Sequence, residues 1–329
     1  MPDHSDAELK RVPEDDAAFE AMLGDVRRGL SLKQKELDPK YFYDERGSEL
    51  FELITELPEY YPTRAERALL ISTMPSLIDE LRPASLIELG AGSASKTRVI
   101  LDAMSLTGSG KQYVPVDVSS AFLRETSAKL RTEYPDMRID PAVGDFSSEL
   151  VLPPLQRPAL FAFLGSTIGN FRANAAVDIL HRIASSMRGD DAFILGVDLR
   201  KNPDVIEAAY NDNAGVTAEF NLNVLRVLNR ELSSDFDLSA FRHRAFYDRE
   251  RHRIEMHLDS TADQTVLIPG IGNVEIRKGE SIRTELSYKY DRATVTSLFE
   301  KAGLCLERWL TGEDDVFGLA VGSRRWAPR

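Results

Sequence analysis

The chain reads SLIELGAGSASKTRVI over residues 85–100. Its first five residues are typical of a short buried strand, Gly90 and Gly92 end that strand, and an amphipathic helix follows. Glycine lets a backbone approach a ligand where a Cβ would clash. The segment therefore predicts a strand, a ligand-binding turn and a helix, although a tight turn that binds nothing has the same pattern.

Strands and helices continue to alternate along the chain that follows. The predicted strands cover residues 112–118, 138–143, 160–164 and 192–197, and the predicted helices cover 120–133 and 173–187. Alternation at this spacing indicates a parallel sheet with helices on both faces. We therefore predict an α/β fold with a doubly wound, Rossmann-like domain whose ligands bind at the carboxyl ends of the strands.

The alternation stops near residue 200. Helices are predicted at 203–211, 215–231 and 292–302, and strands at 241–247, 253–258, 264–267, 281–290, 304–310 and 316–322. We expect an inserted α+β lobe, which the N-terminal helices join because they too lie outside the alternation. The predicted units are a nucleotide-binding domain (65–200 and 290–329), a second lobe (15–64 and 201–289) and a flexible tail (1–14). Near the first boundary, Thr63 is expected to cap a helix, with Glu66 completing a capping box.

Composition narrows the possible partners. The 329 residues carry a formal net charge of -12, which argues against binding to nucleic acid. The single cysteine, Cys305, excludes an intrachain disulfide, and the five histidines show no ligand spacing, so we predict no metal. The sequence shows neither a signal peptide nor the ~18 consecutive apolar residues of a membrane span. We expect a cytoplasmic monomer that does not enter a membrane.

Acidic residues follow the next two predicted strands. Asp117 can accept hydrogen bonds from both hydroxyls of a ribose, and it would repel a 2′-phosphate. Asp145 can accept from an adenine amino group while the ring of Phe146 covers the base, although Asp145 also suits a helix cap. Together with Gly90 and Gly92, these residues are interpreted as one adenosyl-binding site.

Two adenosine ligands fit such a site. Ser95 stands where the dinucleotide fingerprint needs its third glycine, which counts against NAD. Lys96 and Glu88 suit the carboxylate and ammonium of S-adenosyl-L-methionine, although Lys96 can equally be solvated. The residues favour the methyl donor, and an NAD-dependent oxidoreductase is the alternative from another class. A non-catalytic adenosyl-binding module is a third.

Long stretches resemble the histidine Nα-methyltransferase family of ergothioneine biosynthesis. The resemblance covers nearly the whole chain past residue 20. It is carried by YFYD at 41–44, LPEYYPTR at 57–64, ELGAGS at 88–93, FLGSTIGN at 163–170, YND at 210–212, GVTA at 215–218, NREL at 229–232, RIEM at 253–256 and TELS at 284–287.

The resemblance implies a class I methyltransferase domain that uses S-adenosyl-L-methionine, with a second lobe for substrate recognition. It implies trimethylation of the α-amino group of L-histidine to hercynine, the first step toward ergothioneine. The implied cofactor residues are Glu88, Gly90, Gly92, Lys96, Asp117, Asp145 and Phe146. The implied substrate residues are Tyr43, Tyr60, Gly165, Asn170, Tyr210, Met256, Glu285 and Ser287, with catalytic roles for Tyr60 and Asn170.

The resemblance also distributes roles among these residues. It implies that Asn170 and Tyr210 hold the carboxylate and amine region, and that Tyr60 lies close to the α-amine. It implies that Glu285 and Ser287 bind the imidazole, that Met256 lies beside that ring, and that Tyr43 reaches it through water.

The strand at 281–290 makes physical sense of the ring-binding pair. Glu285 and Ser287 are two residues apart, so they face the same side with about 6.5–7 Å between their Cα atoms. Residues 282, 284, 286 and 288 are expected to face the other way. The alternative is an exposed ionic face that includes Arg283 and Lys289. A relative acting on tryptophan or tyrosine is the rival substrate assignment; a carboxylate beside Met256 favours imidazole, because indole has one N–H donor.

Overall fold

The computed structural model describes residues 13–144 and 150–325. Most of the predicted flexible tail lies outside these residues. Pro13 and Glu14 do not belong to a tail, because they form the first turn of a helix that continues to Leu30. The prediction was wrong there, since proline is well tolerated in the first turn of a helix.

Nine α-helices occur in the described residues. They are α1 (Pro13–Leu30), α2 (Glu45–Glu56), α3 (Tyr61–Leu81), α4 (Thr97–Thr107), α5 (Ser120–Glu133), α6 (Ala173–Ser186), α7 (Pro203–Ala208), α8 (Val216–Glu231) and α9 (Arg292–Ala302). Short 3-10 helices occur at Pro39–Phe42, Thr167–Asn170 and Leu238–Ala240. No helix in the part of the chain that the structure covers is long and apolar enough to cross a bilayer.

The strands form two main sheets and one hairpin. They are β1 (Lys35–Glu36), β2 (Ser85–Leu89), β3 (Gln112–Asp117), β4 (Arg138–Ile139), β5 (Ala142–Val143), β6 (Ala159–Phe163), β7 (Ala192–Asp198), β8 (Phe241–Asp248), β9 (Arg253–Ser260), β10 (Gln264–Ile268), β11 (Gly272–Ile276), β12 (Ser281–Tyr288), β13 (Leu304–Thr311) and β14 (Phe317–Arg324).

The larger sheet has the order β13-β14-β7-β6-β2-β3-β4, with β5 also paired to β3. Its strands from β7 to β4 run parallel, whereas β14 and β13 are antiparallel additions at one edge. Every residue of β2, β6 and β7 is buried, because helices cover both faces of the sheet. This confirms the predicted doubly wound, Rossmann-like fold. Since β2 pairs with both β3 and β6, the strand order reverses there, and a ligand crevice opens at its carboxyl end.

The smaller sheet has the order β1-β12-β9-β8. Strands β10 and β11 form a separate two-stranded hairpin, which lies between β9 and β12 in the sequence. The core of the second lobe includes Leu23 of α1, Ile54 of α2, Phe220 of α8 and Met256 of β9. The N-terminal helices therefore pack on the inserted lobe, as their place outside the alternation suggests. The two-unit division with its stated boundaries is a proposal, and helix α3 runs across the boundary at residues 64–65.

Three local predictions were wrong. Helix α3 begins at Tyr61, with Tyr60 as its N-cap, so Thr63 lies inside the helix and no capping box forms. Strand β11 was missed, because its pattern is short and half exposed. The residues 138–143 form two two-residue strands, β4 and β5, instead of one.

A bulge also alters the facing of β12. Its pairing with β9 shifts between Arg283 and Glu285, so an extra residue separates the two halves of the strand. Ile282 pairs with Leu258, and both belong to the same core as Met256. Ile282 therefore shares the face of Glu285, contrary to the prediction from strict alternation, which holds only after the bulge.

Candidate functional site

Two chambers that share part of their lining lie at this crevice. The larger chamber has a volume of about 250 Å³ and follows the carboxyl ends of β2 and β3, whereas the smaller chamber has about 40 Å³ and lies against β12. Their shared wall consists of Tyr43, Phe51, Tyr60, Pro62, Gly165, Thr167 and Asn170. Ligands bound in the two chambers would therefore both contact these residues.

The glycine turn after β2 forms the floor of the larger chamber. Gly90 and Gly92 have φ values of +69° and +51°, a backbone region that disfavours other residues. The Gly92 amide donates to Oδ2 of Asp117 at 3.0 Å, and the Ser119 amide donates to Oδ1 at 3.0 Å. These bonds hold the Asp117 carboxylate at the chamber wall, where its remaining lone pairs can meet a ribose.

Glu88 is a buried acid at the end of β2 that also lines the larger chamber. Burial raises the pKa of its carboxyl to about 7, although hydrogen bonds from Thr97 and Tyr113 and the nearby Lys96 act in the opposite direction. A carboxyl in this setting is well suited to a cationic ligand, which would favour its ionised form. Glu88, Asp117 and the glycine turn together fit S-adenosyl-L-methionine, whose amino-acid end carries an ammonium.

Lys96 forms an ion pair with Glu66 of helix α3, and it also lines the larger chamber. Glu66 is fully buried, and it accepts the Gly165 amide at 2.8 and 3.0 Å. This acid therefore ties α3 and the N-cap of α4 to the turn after β6. The predicted helix-capping role of Glu66 was wrong, and its actual role could not be recognised from the sequence because its partners lie far away in the chain.

The predicted adenine-binding residues cannot be placed. Asp145 and Phe146 lie outside the described residues. Their roles in cofactor binding stay predictions.

The smaller chamber brings most of the predicted substrate residues together. It is lined by Tyr43, Tyr60, Gly165, Asn170, Tyr210, Glu285 and Ser287. Met256 lies directly opposite Glu285 in the β9–β12 pair, but it is buried in the core of the second lobe and is not among the residues that line either chamber. Its place beside the substrate ring stays a prediction.

Glu285 faces the smaller chamber with an unsatisfied carboxyl group. Within residues 13–144 and 150–325, no group donates a hydrogen bond to it. Loss of surrounding water raises the pKa of Glu285 to about 7, although the positive charge of Lys289 opposes the shift. When it is ionised, a carboxyl group in this position can accept a hydrogen bond from an N–H group of a ligand.

A buried polar network that was not predicted from the sequence supports the smaller chamber. Lys289 is only 2% exposed, and its ammonium contacts Oδ2 of Asp198 at 2.7 Å, the Tyr210 hydroxyl at 3.0 Å and the Ser287 hydroxyl at 2.9 Å. Burial opposes ionisation of Asp198, but Lys289 and Lys201 outweigh it and hold its pKa below the usual value. The alternative of an exposed ionic face is therefore wrong for Lys289.

Aromatic rings form the wall between the chambers. The ring centroids of Phe51 and Tyr60 lie 6.3 Å apart, and those of Tyr60 and Tyr210 also lie 6.3 Å apart. Tyr43 meets Phe51 edge-on at 5.7 Å. Burial raises the pKa of Tyr43, Tyr60 and Tyr210 well above the usual value, so all three remain neutral phenols. Phe51 was not predicted as a site residue, since its helical spacing is that of a core position.

Comparison with known proteins agrees with this geometry. Residues 22–324 match the family described as histidine-specific, S-adenosylmethionine-dependent methyltransferases. The histidine N-alpha-methyltransferase of Mycolicibacterium smegmatis is 42% identical over 310 residues, which cover 94% of this chain and 97% of that protein. Ergothioneine biosynthesis protein 1 of Schizosaccharomyces pombe is 28% identical over 86% of this chain and 38% of its own length.

The fold of a solved methyltransferase is also similar. The CcbJ methyltransferase from Streptomyces caelestis is 12% identical, with a TM-score of 0.50 over 88% of this chain and 100% of that one. The predicted class I methyltransferase fold and the predicted methyl donor are thus confirmed, and the NAD-dependent alternative is excluded. The chain belongs to the histidine-specific, S-adenosylmethionine-dependent methyltransferase family.

Proposed function

We propose that this enzyme transfers three methyl groups in turn to the α-amino group of L-histidine, giving hercynine, the first intermediate toward ergothioneine. The observation that carries the proposal is the smaller chamber, where Asn170 and the unsatisfied carboxyl of Glu285 line one cavity that shares seven lining residues with the larger chamber. A free amino acid has a carboxylate at one end and a ring at the other, and this chamber offers polar groups for both ends.

The larger chamber would hold S-adenosyl-L-methionine, which supplies an electrophilic methyl group when bound. Asp117 would accept hydrogen bonds from the ribose hydroxyls, and Glu88 would face the ammonium of the methionine part. Lys96 would bind the carboxylate of the methionine part while it stays close to its ion-pair partner Glu66. The glycine turn lets the backbone come close to the cofactor.

The smaller chamber would orient the amino acid. Asn170 and Tyr210 would hold the carboxylate and amine region, while Glu285 and Ser287 would bind the imidazole. Tyr60, in the shared wall, remains a phenol at neutral pH because burial raises its pKa. It can therefore accept a hydrogen bond from the amine N–H, but it does not act as a phenolate base. Catalysis would rest chiefly on positioning the amine and excluding water.

The aromatic wall suits the change in charge during the reaction. Trimethylation leaves a quaternary ammonium that keeps its positive charge but has no N–H to donate. The faces of Tyr60 and its neighbours Tyr43 and Phe51 can stabilise such a cation through their ring electrons. A chamber lined by neutral rings therefore tolerates both the amine and its methylated products.

In the decisive experiment the enzyme is incubated with S-adenosyl-L-methionine and each of the twenty amino acids in turn, and the mass of each amino acid is then measured. We expect histidine alone to gain up to three methyl groups. An unchanged histidine refutes the proposal, and methylation of tryptophan or tyrosine instead supports the rival substrate assignment.

The predictions of a cytoplasmic monomer, of no nucleic-acid partner and of no metal are kept as part of the proposal. Size-exclusion chromatography tests the monomer, and metal analysis tests the expectation of no metal.

A further inference from the structure

The hydroxyl of Ser287 has only one hydrogen-bonding capacity left for a ligand. A serine hydroxyl can donate one hydrogen bond and accept two. Its oxygen accepts one from Lys289 at 2.9 Å and another from the Tyr210 hydroxyl at 2.8 Å. Both lone pairs are therefore occupied, and the hydrogen remains. No acceptor for it occurs in the described parts of the chain, and Ser287 lines the smaller chamber.

Lys289 fixes one of the two hydrogen bonds that Ser287 accepts, and Tyr210 supplies the other. An ammonium group has three donors and no acceptor. Its three contacts are Asp198, Tyr210 and Ser287, at 2.7, 3.0 and 2.9 Å. Asp198 supplies the opposite charge that keeps the ammonium stable in a buried place, and the Tyr61 hydroxyl donates to the same carboxylate at 2.8 Å. Because Lys289 can only donate, its neighbours must accept from it.

The two ring-binding groups consequently present opposite polarity. Glu285, when ionised, only accepts, whereas Ser287 in this network can only donate to a ligand. A neutral imidazole has one N–H donor and one bare nitrogen acceptor, so it satisfies both groups in a single tautomer. An imidazolium has two N–H donors, and an indole has one donor and no acceptor. Either ring would leave the Ser287 hydrogen without a partner.

We propose that Lys289 is a positioning residue that fixes the Ser287 hydroxyl as a donor, so that the smaller chamber selects a neutral imidazole with its N–H toward Glu285 and its bare nitrogen toward Ser287. The proposal rests on the proposed function and adds a specificity role for Lys289, which lines the smaller chamber together with the ring-binding pair.

The test compares histidine with its two pyrrole analogues, in each of which one ring nitrogen is replaced by C–H. Both analogues keep one N–H, so the better of the two can still donate to Glu285 but has nothing to accept from Ser287. The readout is the ratio of kcat/KM for histidine to that for the better analogue. In the wild type we expect a ratio of about tenfold to a hundredfold, since a buried donor loses its partner.

Lys289→Met should lower this ratio by about tenfold, because the Tyr210 oxygen loses its Lys289 donor and can then accept the Ser287 hydrogen when the ring offers no bare nitrogen. In the Ser287→Ala background, the same substitution should leave the ratio unchanged. Lys201→Met is the matched control, since Lys201 also pairs with Asp198 but makes no contact with Ser287. It should leave the ratio within about twofold of the wild type.

Affinity for S-adenosylhomocysteine, measured by calorimetry, shows whether each variant is folded. If Lys289→Met does not bind it, Lys289→Gln replaces it, since a side-chain amide oxygen can accept the Ser287 hydrogen, and the ratio should again fall. The proposal is overturned by an unchanged ratio in Lys289→Met, by an effect that persists without Ser287, by an equal fall in Lys201→Met, or by loss of S-adenosylhomocysteine binding in both test variants. A wild type that methylates neither histidine nor the analogues refutes the proposed function itself.

Discussion

Asn170 and Glu285 line the same small chamber, although one follows β6 of the larger sheet and the other lies in β12 of the smaller sheet. The short helix that ends at Asn170 packs closely on β12. A Cβ at Gly169 would lie 2.8 Å from the carbonyl oxygen of Tyr288, so only glycine permits this approach. The close contact between the two lobes is what brings the Asn170 amide and the Glu285 carboxyl to the lining of one cavity.

Glu285→Ala should abolish histidine turnover while it leaves S-adenosylhomocysteine affinity within about twofold of the wild type. The carboxyl lines only the smaller chamber, and the substitution removes the acceptor proposed for the ring N–H. Steady-state kinetics and calorimetry measure the two effects separately. An equal loss of both would mean that Glu285 supports the fold and not the substrate.

The raised pKa of Glu285 predicts a pH-dependent stability effect. Its folded-state pKa of about 7 lies above the usual glutamate value of 4.5, so the folded protein binds this proton more tightly than the unfolded chain. The stability linked to this group is present at low pH and is lost as pH rises from about 4.5 through 7. Glu285→Gln should therefore stabilise the protein relative to the wild type by up to about 3 kcal/mol at pH 8, and by less at pH 5.

Thermal unfolding of both proteins across this pH range measures the difference. A stability gap that is constant from pH 5 to pH 8 would show that the carboxyl does not titrate with the raised pKa. A gap that shrinks as the pH rises would give the opposite sign and would exclude the explanation from burial.

Asp117→Asn should weaken S-adenosylhomocysteine binding by about tenfold or more. The carboxylate accepts the amides of Gly92 and Ser119, and an amide side chain would turn an N–H toward one of these donors. Glu125→Gln on the exposed face of α5 is the control, since the one ion pair of Glu125 within the described residues is a surface pair with Lys129. Calorimetry should find the control unchanged; equal effects in both would assign the loss to net charge.

Gly165→Ala should impair both ligand sites, because Gly165 belongs to the wall that the chambers share. Its φ of +74° is unfavourable for alanine, and a Cβ would lie 3.3 Å from Nζ of Lys96 and from Oγ1 of Thr167. We expect a loss of about 1–2 kcal/mol in stability, with weaker binding of both ligands. Denaturant unfolding and calorimetry provide these values.

Gly24→Ala is the matched control for that substitution. Gly24 lies inside helix α1, and a Cβ there would meet no atom within 4 Å. Alanine should stabilise the protein by about 0.5–1 kcal/mol, since glycine is unfavourable in a helix interior. Similar destabilisation by both substitutions would contradict the proposed strain at Gly165.

Local patterns were sufficient to predict the larger sheet. Strands such as β2 and β7 are continuous apolar runs between helices, and each pattern depends only on neighbouring residues. Acids at strand ends, such as Asp117, were also recognisable, because parallel strands bring their carboxyl ends to one edge. The edge of the larger sheet at which the cofactor would bind could therefore be predicted from the sequence.

The polar groups behind the site were not predictable in the same way. Glu66 and Lys289 look like ordinary surface residues in the sequence, yet both are buried and bonded to residues far away in the chain. The bulge after Arg283 changes which side chains share a face, and alternation alone cannot show it. Such features depend on long-range pairing, which composition and periodicity do not contain.

A crystal structure with both S-adenosylhomocysteine and L-histidine bound would show directly whether the two chambers hold the two ligands as proposed. We expect the imidazole to lie against Glu285 and Ser287, the carboxylate to lie near Asn170, and the α-amino nitrogen to point toward the cofactor sulfur at the side where the chambers share residues. Histidine bound outside the smaller chamber, or with its α-amine directed away from the sulfur, would contradict this arrangement.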